Sequence, residues 1–429
     1  MNPPLKIAIA GLGTVGVGTV TVLRDNHDLL AARCGRAFDL VAVSARDRAK
    51  DRGLDLSDIA WVDAAPNLAA TEADVVIELI GGADGVALDL VRAALGRGKA
   101  VVTANKALIA LHGTELARLA EDNDTVLAFE AAVAGGIPIV KALREGLAAN
   151  RLTRVYGILN GTCNYMLSDM RATGRAFDTV LAEAQDLGYA EADPSFDVDG
   201  IDAAHKLAIL ASLAFGAEVD FDAVHVEGIR PIDPVDIAYA DELGYRIKLL
   251  GIARMTDDGL EQRVHPCMVA SDTPIAGVEG VLNAVVGEGD FVDTTVYEGR
   301  GAGAGPTASA VVADLIDIAR GNRVPAFSIP ATQLRAFAPV SIERRIGAYY
   351  IRLMVVDRPG VMADIAGCLR DHAVSMEALM QRGRDPDEAV PVVMTTHDVV
   401  EASMTAALAQ IAALDSVVEP PRMIRIESL

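Results

Sequence analysis

The first 130 residues alternate short apolar runs with longer stretches in which apolar positions recur at helical spacing. Short runs rich in Val and Ile predict buried strands, and the first helical stretch covers residues 15–33. The predicted strands cover residues 6–10, 39–43, 75–79, 100–102 and 126–129. Because strands and helices alternate, we predict an α/β domain built on a parallel, doubly wound sheet.

Residues 348–429 predict a different order of elements. The pattern indicates strand 348–356, helix 361–371, strand 374–380, strand 390–397, helix 400–414 and strand 422–427. This βαββαβ order is the ferredoxin-like split arrangement. The region before it, 321–347, has little periodicity and contains several prolines, which predicts a linker.

An acid-rich segment at 188–206 leads into a run that is apolar on nearly every helical face. Asp199 is a candidate N-cap, and a helix is predicted from Ile201. Asp202 and Lys206 are then one turn apart on one face, where the helix becomes buried. Burial lowers the pKa of a lysine and a neighbouring carboxylate opposes this, so the pair can hold and tune a proton donor. A capped helix with a surface ion pair is the alternative interpretation.

A glycine motif follows the first predicted strand and opens the first predicted helix. In this motif Gly11 allows a tight turn, Gly13 allows close approach of a pyrophosphate, and Gly16 allows helix and strand to pack. The helix start at Thr14 and Val15 offers N–H groups to phosphates. This context predicts a Rossmann-type nucleotide-binding domain, with a glycine-rich turn of another α/β protein as the alternative.

Polar residues follow two further strands at the edge where ligands bind in open α/β sheets. Arg46 follows the second strand and suits the 2′-phosphate of NADP, whereas Asp47 would suit the NAD ribose. We therefore predict NADP or NAD as cofactor. Thr103 and Lys106 follow the strand at 100–102 and are candidates for the same cleft.

Composition and charge narrow the function. A chain of 429 residues exceeds one ordinary core, so two or three domains are expected. A net charge of −22 argues against nucleic acid and anionic membranes as partners. The scattered cysteines favour reduced thiols, the N-terminus shows no secretory signal, and no uninterrupted apolar run reaches bilayer length, so we expect a cytoplasmic protein.

Several motifs together resemble those of homoserine dehydrogenases. They are Gly188-Tyr-Ala-Glu191, Asp193-Pro194, the run from Asp197 to Lys206, and Asn160-Gly-Thr-Cys163-Asn. The resemblance implies reversible NAD(P)H-dependent reduction of L-aspartate 4-semialdehyde to L-homoserine, in threonine, methionine and isoleucine biosynthesis. It covers nearly the whole chain.

The resemblance also implies roles for individual residues. Lys206 would be the general acid/base, Asp202 would orient it and contact the substrate, and Lys106 would stabilise charge at the reacting oxygen. Glu191 would hold the substrate amino group. Asn160 and Thr162 would orient the substrate, and Gly188 and Gly303 would contact the cofactor.

Two further sites are implied by the same resemblance. A monovalent cation, Na⁺ or K⁺, would bind at Glu130, Val133, Gly135 and Ile137, mostly through carbonyl oxygens. A glycine-rich hinge between domains is the alternative, and both can hold. Asp357, Gly360 and Val361 resemble the first turn of a regulatory ACT domain, with threonine as the expected effector. A unit that only holds subunits together is the alternative.

The predicted organisation has four parts. Residues 1–137 form the NAD(P)-binding domain, completed by 301–340, and 138–300 form an α+β catalytic and dimerisation domain. Residues 321–347 link it to the ACT domain at 348–429, and a homodimer or homotetramer is expected. Two other functions stay open: a semialdehyde dehydrogenase with Cys163 as nucleophile, and a non-catalytic sensor of nucleotide and amino acid.

Overall fold

The computed structural model describes residues 3–381 and 389–429. A six-stranded parallel sheet forms the N-terminal part, in the order β3-β2-β1-β4-β5-β6. Its strands are β1 (Leu5–Ala10), β2 (Phe38–Ser44), β3 (Ala60–Trp61), β4 (Val75–Glu78), β5 (Ala100–Thr103) and β6 (Leu127–Ala128). The predicted parallel sheet is confirmed, and its strand order reverses between β1 and β4, where nucleotides bind in such sheets.

Four helices connect these strands. They are α1 (Thr14–Asp25), α2 (His27–Cys34), α3 (Val86–Leu95) and α4 (Lys106–Asp122). The prediction of one helix over 15–33 was wrong, because the helix is interrupted at Asn26, where φ is −105° and ψ is 17°. Asparagine hydrogen-bonds nearby main chain and so favours helix ends over helix interiors.

The middle of the chain builds one side of a second, ten-stranded sheet. Its elements are α5 (Ile139–Lys141), β7 (Leu152–Ile158), α6 (Gly161–Thr173), α7 (Phe177–Asp186), α8 (Ser195–Val198), α9 (Ile201–Phe215), β8 (His225–Val226), α10 (Pro234–Glu242), β9 (Tyr245–Thr256), β10 (Gly259–Ala270), β11 (Leu282–Gly289), β12 (Asp293–Arg300) and α11 (Ala304–Arg320). Helix α9 packs on β7, β9 and β10. Every residue from Asp202 to Leu213 is buried, as the apolar run predicts.

Helix α11 returns to the N-terminal sheet. Its Val311 and Leu315 share a core with Ile7 and Ile9 of β1. It crosses α1 so closely that a Cβ on Gly18 would lie 2.8 Å from the Ala304 oxygen. The loop after β12 is thereby brought beside the glycine motif.

The C-terminal part completes the ten-stranded sheet. Its elements are β13 (Ile346–Gly347), β14 (Tyr349–Val356), α12 (Val361–Asp371), β15 (Met376–Gln381), β16 (Ala389–Thr396), β17 (Val399–Val400), α13 (Glu401–Ala412) and β18 (Arg422–Glu427). The four main strands follow the antiparallel order β18-β14-β16-β15, as a βαββαβ unit requires. Strand β18 also pairs in parallel with β10, so hydrogen bonds join this unit to the middle of the chain.

Short helical turns supplement these elements. One turn of π-helix covers Ala142–Gly146, and 3₁₀ turns cover Ala65–Ala70, Glu130–Ala132, Pro274–Gly277, Ala331–Gln333 and Ile342–Arg344. Within the described residues, none of the helices has the combination of length and apolar character needed to cross a bilayer.

Candidate active site

The glycine motif forms the turn between β1 and α1. Gly11 has φ +97°, and a Cβ there would lie 2.4 Å from the Leu79 oxygen. A Cβ on Gly16 would lie 2.0 Å from the Gly11 oxygen, so helix and strand touch at this point. Apart from its own helix and chain neighbours, none of the described residues has an atom within 4 Å of the position that a Cβ on Gly13 would take. Open space above Gly13 is what a pyrophosphate requires.

A cavity of about 650 Å³ extends from this turn along the ends of β2 and β4. Gly13 is the N-cap of α1 and supplies no side-chain cap, which leaves the first-turn N–H groups of Thr14, Val15 and Gly16 to bind an anion. The lining includes Gly11, Gly13, Arg46, Asp47, Lys50 and Asp63. The dimensions and donors fit a dinucleotide.

Charged side chains that line this cavity differ in their contacts. Asp47 Oδ1 accepts a hydrogen bond from the Ala49 N–H at 2.9 Å. Arg52 Nε donates to the Leu12 oxygen at 3.2 Å. Lys50 lines the cavity beside Arg46, which follows β2 as predicted.

The structure places the other predicted cofactor residues at different depths. Thr103 is fully buried, and its hydroxyl donates to Glu78 Oε2 at 2.7 Å, so its side chain holds another residue in place. Gly303 is the N-cap of α11 with φ +120°, beside α1. Gly188 follows α7 with φ +73° on the exposed loop that leads to Glu191.

A single carboxylate, that of Asp202, joins lysines from two helices. Lys206 Nζ donates to Asp202 Oδ2 at 2.7 Å, one turn along α9, and to the Leu159 oxygen at 2.7 Å. Lys106, the first residue of α4, forms an ion pair with Asp202 Oδ1. The side chain of Lys106 is 33% exposed, whereas Lys206 and Asp202 are buried. The predicted pair is therefore part of a buried cluster that opens to solvent at Lys106.

The Asn160 side chain connects this cluster to α6. Asn160 is the N-cap of α6 and its Oδ1 accepts from the Cys163 N–H at 2.8 Å. Its Nδ2 donates to Asp202 Oδ2 and to Asp197 Oδ1, both at 2.8 Å. Because Asn160 Oδ1 is fixed as the N-cap acceptor, the Asn160 Nδ2 group faces Asp202 and holds its carboxylate in place.

Opposing effects set the protonation of the cluster. Burial acts to raise the pKa of Asp202, but the charges of Lys206 and Lys106 outweigh it and hold that pKa well below its usual value. Burial lowers the pKa of Lys206, and the Asp202 carboxylate opposes this. Burial and the nearby Asp202 charge raise the pKa of Asp197. Asp202 is therefore the stable anion, and Lys206 gives up a proton more readily than an exposed lysine.

The start of α9 differs from the prediction. The prediction of Asp199 as N-cap was wrong, because Gly200 takes that position with φ +87°. Asp199 instead pairs with Arg230 Nε at 2.5 Å. Helix α9 does begin at Ile201, as predicted.

Of the predicted substrate residues, Thr162 is half-buried at the start of α6, and Glu191 is exposed on the rim loop, residues 187–194 between α7 and α8. Thr162 Oγ1 donates to the Tyr189 oxygen at 2.7 Å and so ties α6 to the rim loop. Glu191 is exposed, and the Gln185 side chain donates to its main-chain oxygen at 2.9 Å. The rim loop thus exposes the Glu191 carboxylate to solvent and is tied to the start of α6.

Cys163 lacks the surroundings of a nucleophile. It is fully buried, and its thiol donates to the Asp197 main-chain oxygen at 3.2 Å. Burial raises the pKa of this thiol well above its usual value. A nucleophilic thiol requires the opposite shift and access to the substrate, so the structure argues against the cysteine-dependent alternative.

Glu130 and the glycines after it pack against the loop before α11. The Glu130 carboxylate accepts from the N–H groups of Val140 and Lys141, both at 2.9 Å. Burial and the nearby Asp314 raise the pKa of Glu130 to about 7. Cβ atoms on Gly135 or Gly136 would lie 2.9 Å from Thr307 Oγ1 or 2.5 Å from the Arg300 oxygen. The four predicted cation ligands, Glu130, Val133, Gly135 and Ile137, are all buried, whereas Gly136 is exposed.

The predicted regulatory residues are at the start of α12. Gly360 is the N-cap with φ +101° and, as a glycine, has no side chain with which to cap the helix. Val361 is buried in the core of the C-terminal unit. Asp357 Oδ1 accepts from Gln381 Nε2 at 3.4 Å, which links this turn to β15.

Three contributors to the site were not predicted. The Leu159 oxygen is main chain, so no side-chain pattern could indicate it. Phe196 covers Lys106, whose Nζ lies 5.2 Å from the ring centroid. His205 is buried between Phe196 and Phe221, with ring centroids 5.5 and 4.4 Å away. Phe196 could have been noticed from the sequence, because it is an aromatic residue within an acidic run.

Comparison with known families agrees with this geometry. The model for the NAD-binding domain of homoserine dehydrogenase matches residues 11–130, and the model for homoserine dehydrogenase matches residues 138–316. A homoserine dehydrogenase of Pseudomonas aeruginosa is 49% identical, with 99% of each chain covered. One from Neisseria gonorrhoeae is 48% identical, again with 99% of each chain covered.

Solved structures give the same result. A homoserine dehydrogenase from Thiobacillus denitrificans is 47% identical and superposes with a TM-score of 0.93 over 100% of this chain and 99% of that chain. A hyperthermophilic archaeal homoserine dehydrogenase in complex with NADPH is 26% identical, with a TM-score of 0.65 over 75% of this chain and 99% of that chain. The chain belongs to the homoserine dehydrogenase family of NAD(P)-dependent oxidoreductases.

Proposed function

We propose that Lys206, Asp202 and Lys106 carry the proton transfer in the reversible reduction of L-aspartate 4-semialdehyde to L-homoserine. The bound nicotinamide cofactor supplies or accepts the hydride at the carbonyl carbon. The observation that supports this assignment is the Asp202 carboxylate shared by a lysine of the nucleotide-binding half and a lysine of α9. That arrangement would put cationic donors at the boundary between cofactor and substrate.

The contacts of Lys206 suggest how it acts. Two of its three N–H donors are held by Asp202 and the Leu159 oxygen, which leaves one for the substrate oxygen. The lowered pKa of Lys206 eases proton delivery to the developing alkoxide. Lys106 would stabilise negative charge on the same oxygen. Glu191 would bind the substrate ammonium, and Asn160 and Thr162 would shape the site through Asp202 and the rim loop.

We propose NADP as the preferred cofactor. A 2′-phosphate needs cationic donors, and Arg46 and Lys50 line the cavity. Asp47, which would favour an unphosphorylated ribose, is engaged by the Ala49 N–H. Gly303 at the start of α11, and Gly188 on the rim loop, would close over the cofactor.

We propose a monovalent cation, Na⁺ or K⁺, at the Glu130 turn. The ligands would be the Glu130 carboxylate and the carbonyl oxygens of Val133, Gly135 and Ile137. Such an oxygen-only set suits a hard cation. The nearby ammonium of Lys141 pairs with Asp314 and Asp317, so a cation would supply the charge that the buried Glu130 carboxylate lacks. The cation would fix this turn against the loop before α11.

We propose that residues 348–429 form an ACT domain that binds threonine near Asp357, Gly360 and Val361. Supporting features are the βαββαβ strand order and the uncapped start of α12, which would attract a carboxylate.

We propose the following domains for the rest of the chain. Residues 1–137 together with 301–340 would bind the cofactor, residues 138–300 would bind the substrate and form the dimer, and residues 321–347 would be a linker. A homodimer or homotetramer in the cytoplasm is proposed, and four free buried cysteines suit a reducing compartment.

The reaction, cofactor preference and regulation can be tested in one assay of absorbance at the nicotinamide band with homoserine. We expect turnover with both cofactors, a higher kcat/KM with NADP, and slower turnover when threonine is added. Arg46→Ala should lower kcat/KM for NADP about tenfold or more and leave the value for NAD unchanged, because a charged hydrogen bond is lost. Absence of turnover would contradict the function, and an equal loss with both cofactors would contradict the role of Arg46.

Lys206→Ala should lower kcat by about 10²–10⁴-fold, because it removes the proposed proton donor. The dissociation constant of NADP should stay unchanged, since the cofactor cavity lies at the glycine motif. Lys248→Ala is the matched control, because Lys248 is a buried lysine that binds the Val278 oxygen and pairs with Glu279. Equal kcat losses in the two variants would contradict the assignment.

The cation proposal predicts a pH-dependent stability. A raised pKa means that folded Glu130 binds more protons than unfolded Glu130 between its ordinary 4.5 and about 7. The free energy of unfolding at low cation concentration should therefore fall as pH rises through this range. Potassium chloride should raise Tm more than choline chloride does, and the difference should grow from about pH 5 to about pH 8, because cation and proton compete. Glu130→Gln should abolish that difference, and equal effects of both salts on the unaltered protein would contradict the site.

A further inference from the structure

A buried arginine of the C-terminal unit binds a carboxylate of the catalytic part. Arg425 lies on β18, and its side chain is only 4% exposed. Its Nη1 and Nη2 donate to the two carboxylate oxygens of Glu227 at 2.8 and 2.7 Å. Its Nε donates to Glu401 Oε2, on α13, at 2.9 Å. The guanidinium therefore connects the C-terminal unit to the residue that follows β8.

Glu227 adjoins the turn from which α9 begins. At the next residue, Gly228, a Cβ would lie 2.2 Å from the Val198 oxygen and 2.5 Å from the Asp199 Cα. The Ile229 N–H donates to the same Val198 oxygen at 2.8 Å. The main chain after Glu227 is thus in direct contact with the turn at 198–200, and Asp202 follows that turn by two residues.

The charges around Glu227 keep this connection intact near neutral pH. His225 Nε2 lies 2.8 Å from Glu227 Oε1, so the same carboxylate contacts both His225 and Arg425. Burial acts to raise the pKa of Glu227, but hydrogen bonds from His225 and Arg425 outweigh it and lower this pKa to about 2. Glu227 stays ionised in the range where the enzyme would work.

A second buried arginine offers a contrast. Arg352 on β14 binds Asp236 through Nε at 2.7 Å and Nη2 at 3.1 Å, and so also joins the C-terminal unit to the catalytic part. Asp236 lies on α10, which packs on β9 and α6. Both arginines are buried and bind a carboxylate of the catalytic part, but Arg425 also binds Glu401, and its partner Glu227 adjoins the start of α9.

We propose that Arg425 is a positioning residue, which acts through Glu227 to hold the start of α9 and with it Asp202 and Lys206. This inference rests on the roles proposed above for Asp202 and Lys206. Strand β18 fixes Arg425 by pairing with both β10 and β14, so the arginine is held from the sheet that the two parts share. The C-terminal unit then contributes to turnover without reaching the substrate.

The test compares Arg425→Gln with the matched variant Arg352→Gln by steady-state kinetics on the full chain. Arg425→Gln should lower kcat about 10–100-fold, since a shift of about 1 Å at a catalytic group has such an effect. Its KM for NADP should stay unchanged, and Arg352→Gln should retain kcat. Arg425→Lys should recover part of kcat, because an ammonium can still contact Glu227.

Other variants keep the proposal falsifiable. Glu227→Gln keeps the shape of the side chain and should lower kcat by the factor expected for Arg425→Gln. It tests the same contact if Arg425→Gln does not fold. The double variant should lose no more kcat than either single one, because both changes remove the same contact. Equal kcat losses in Arg352→Gln and Arg425→Gln, or independent losses in the double variant, would overturn the proposal. Unchanged turnover in Lys206→Ala would instead show that the proposed catalytic roles are wrong.

Discussion

One buried carboxylate shared by two lysines is the constraint around which this site is built. Removing charges from water is costly, and an ion pair repays that cost only when its geometry and hydrogen bonds are complete. Asp202 Oδ2 accepts hydrogen bonds from Lys206 and from the Asn160 amide, and Oδ1 forms an ion pair with Lys106. Loss of any one partner would leave a buried charge uncompensated. The cluster therefore demands that α4, α6 and α9 meet in one arrangement.

This demand links the domains of the chain. Lys106 begins the helix that follows β5 of the nucleotide-binding sheet, whereas Asp202 and Lys206 belong to the helix beneath the ten-stranded sheet. The ion pair between Lys106 and Asp202 therefore joins the nucleotide-binding sheet to α9, which carries the proposed proton donor. The homoserine dehydrogenase reaction needs this, because hydride and proton must reach adjacent atoms of one carbonyl group.

Much of this arrangement could be predicted from local sequence. Gly11, Gly13 and Gly16 follow a strand and precede a helix, and their main-chain geometry agrees with the prediction. The spacing of Asp202 and Lys206 gave their contact. The prediction of Asp199 as N-cap was wrong, because Gly200 is the N-cap and the Asp199 carboxylate forms an ion pair with Arg230. The limit here is that side-chain pairing depends on distant elements.

Contacts between distant segments were beyond the reach of sequence patterns. The parallel pairing of β10 with β18 joins residues more than 150 positions apart, and no periodicity in either strand encodes the partner. The same is true of the Leu159 oxygen, which binds Lys206 as main chain. Family resemblance placed Lys106 in the cleft, but the sharing of Asp202 between two lysines emerged only from the three-dimensional structure.

The most direct measurement of the central claim is kcat for Asp202→Asn, with the NADP dissociation constant and Tm measured on the same protein. Asparagine keeps the shape of the side chain but removes the charge that both lysines share. We expect kcat to fall about 100-fold or more, as when an oriented proton donor is lost, while NADP still binds as in the unaltered protein. A variant that folds, binds NADP and retains its kcat would contradict the account.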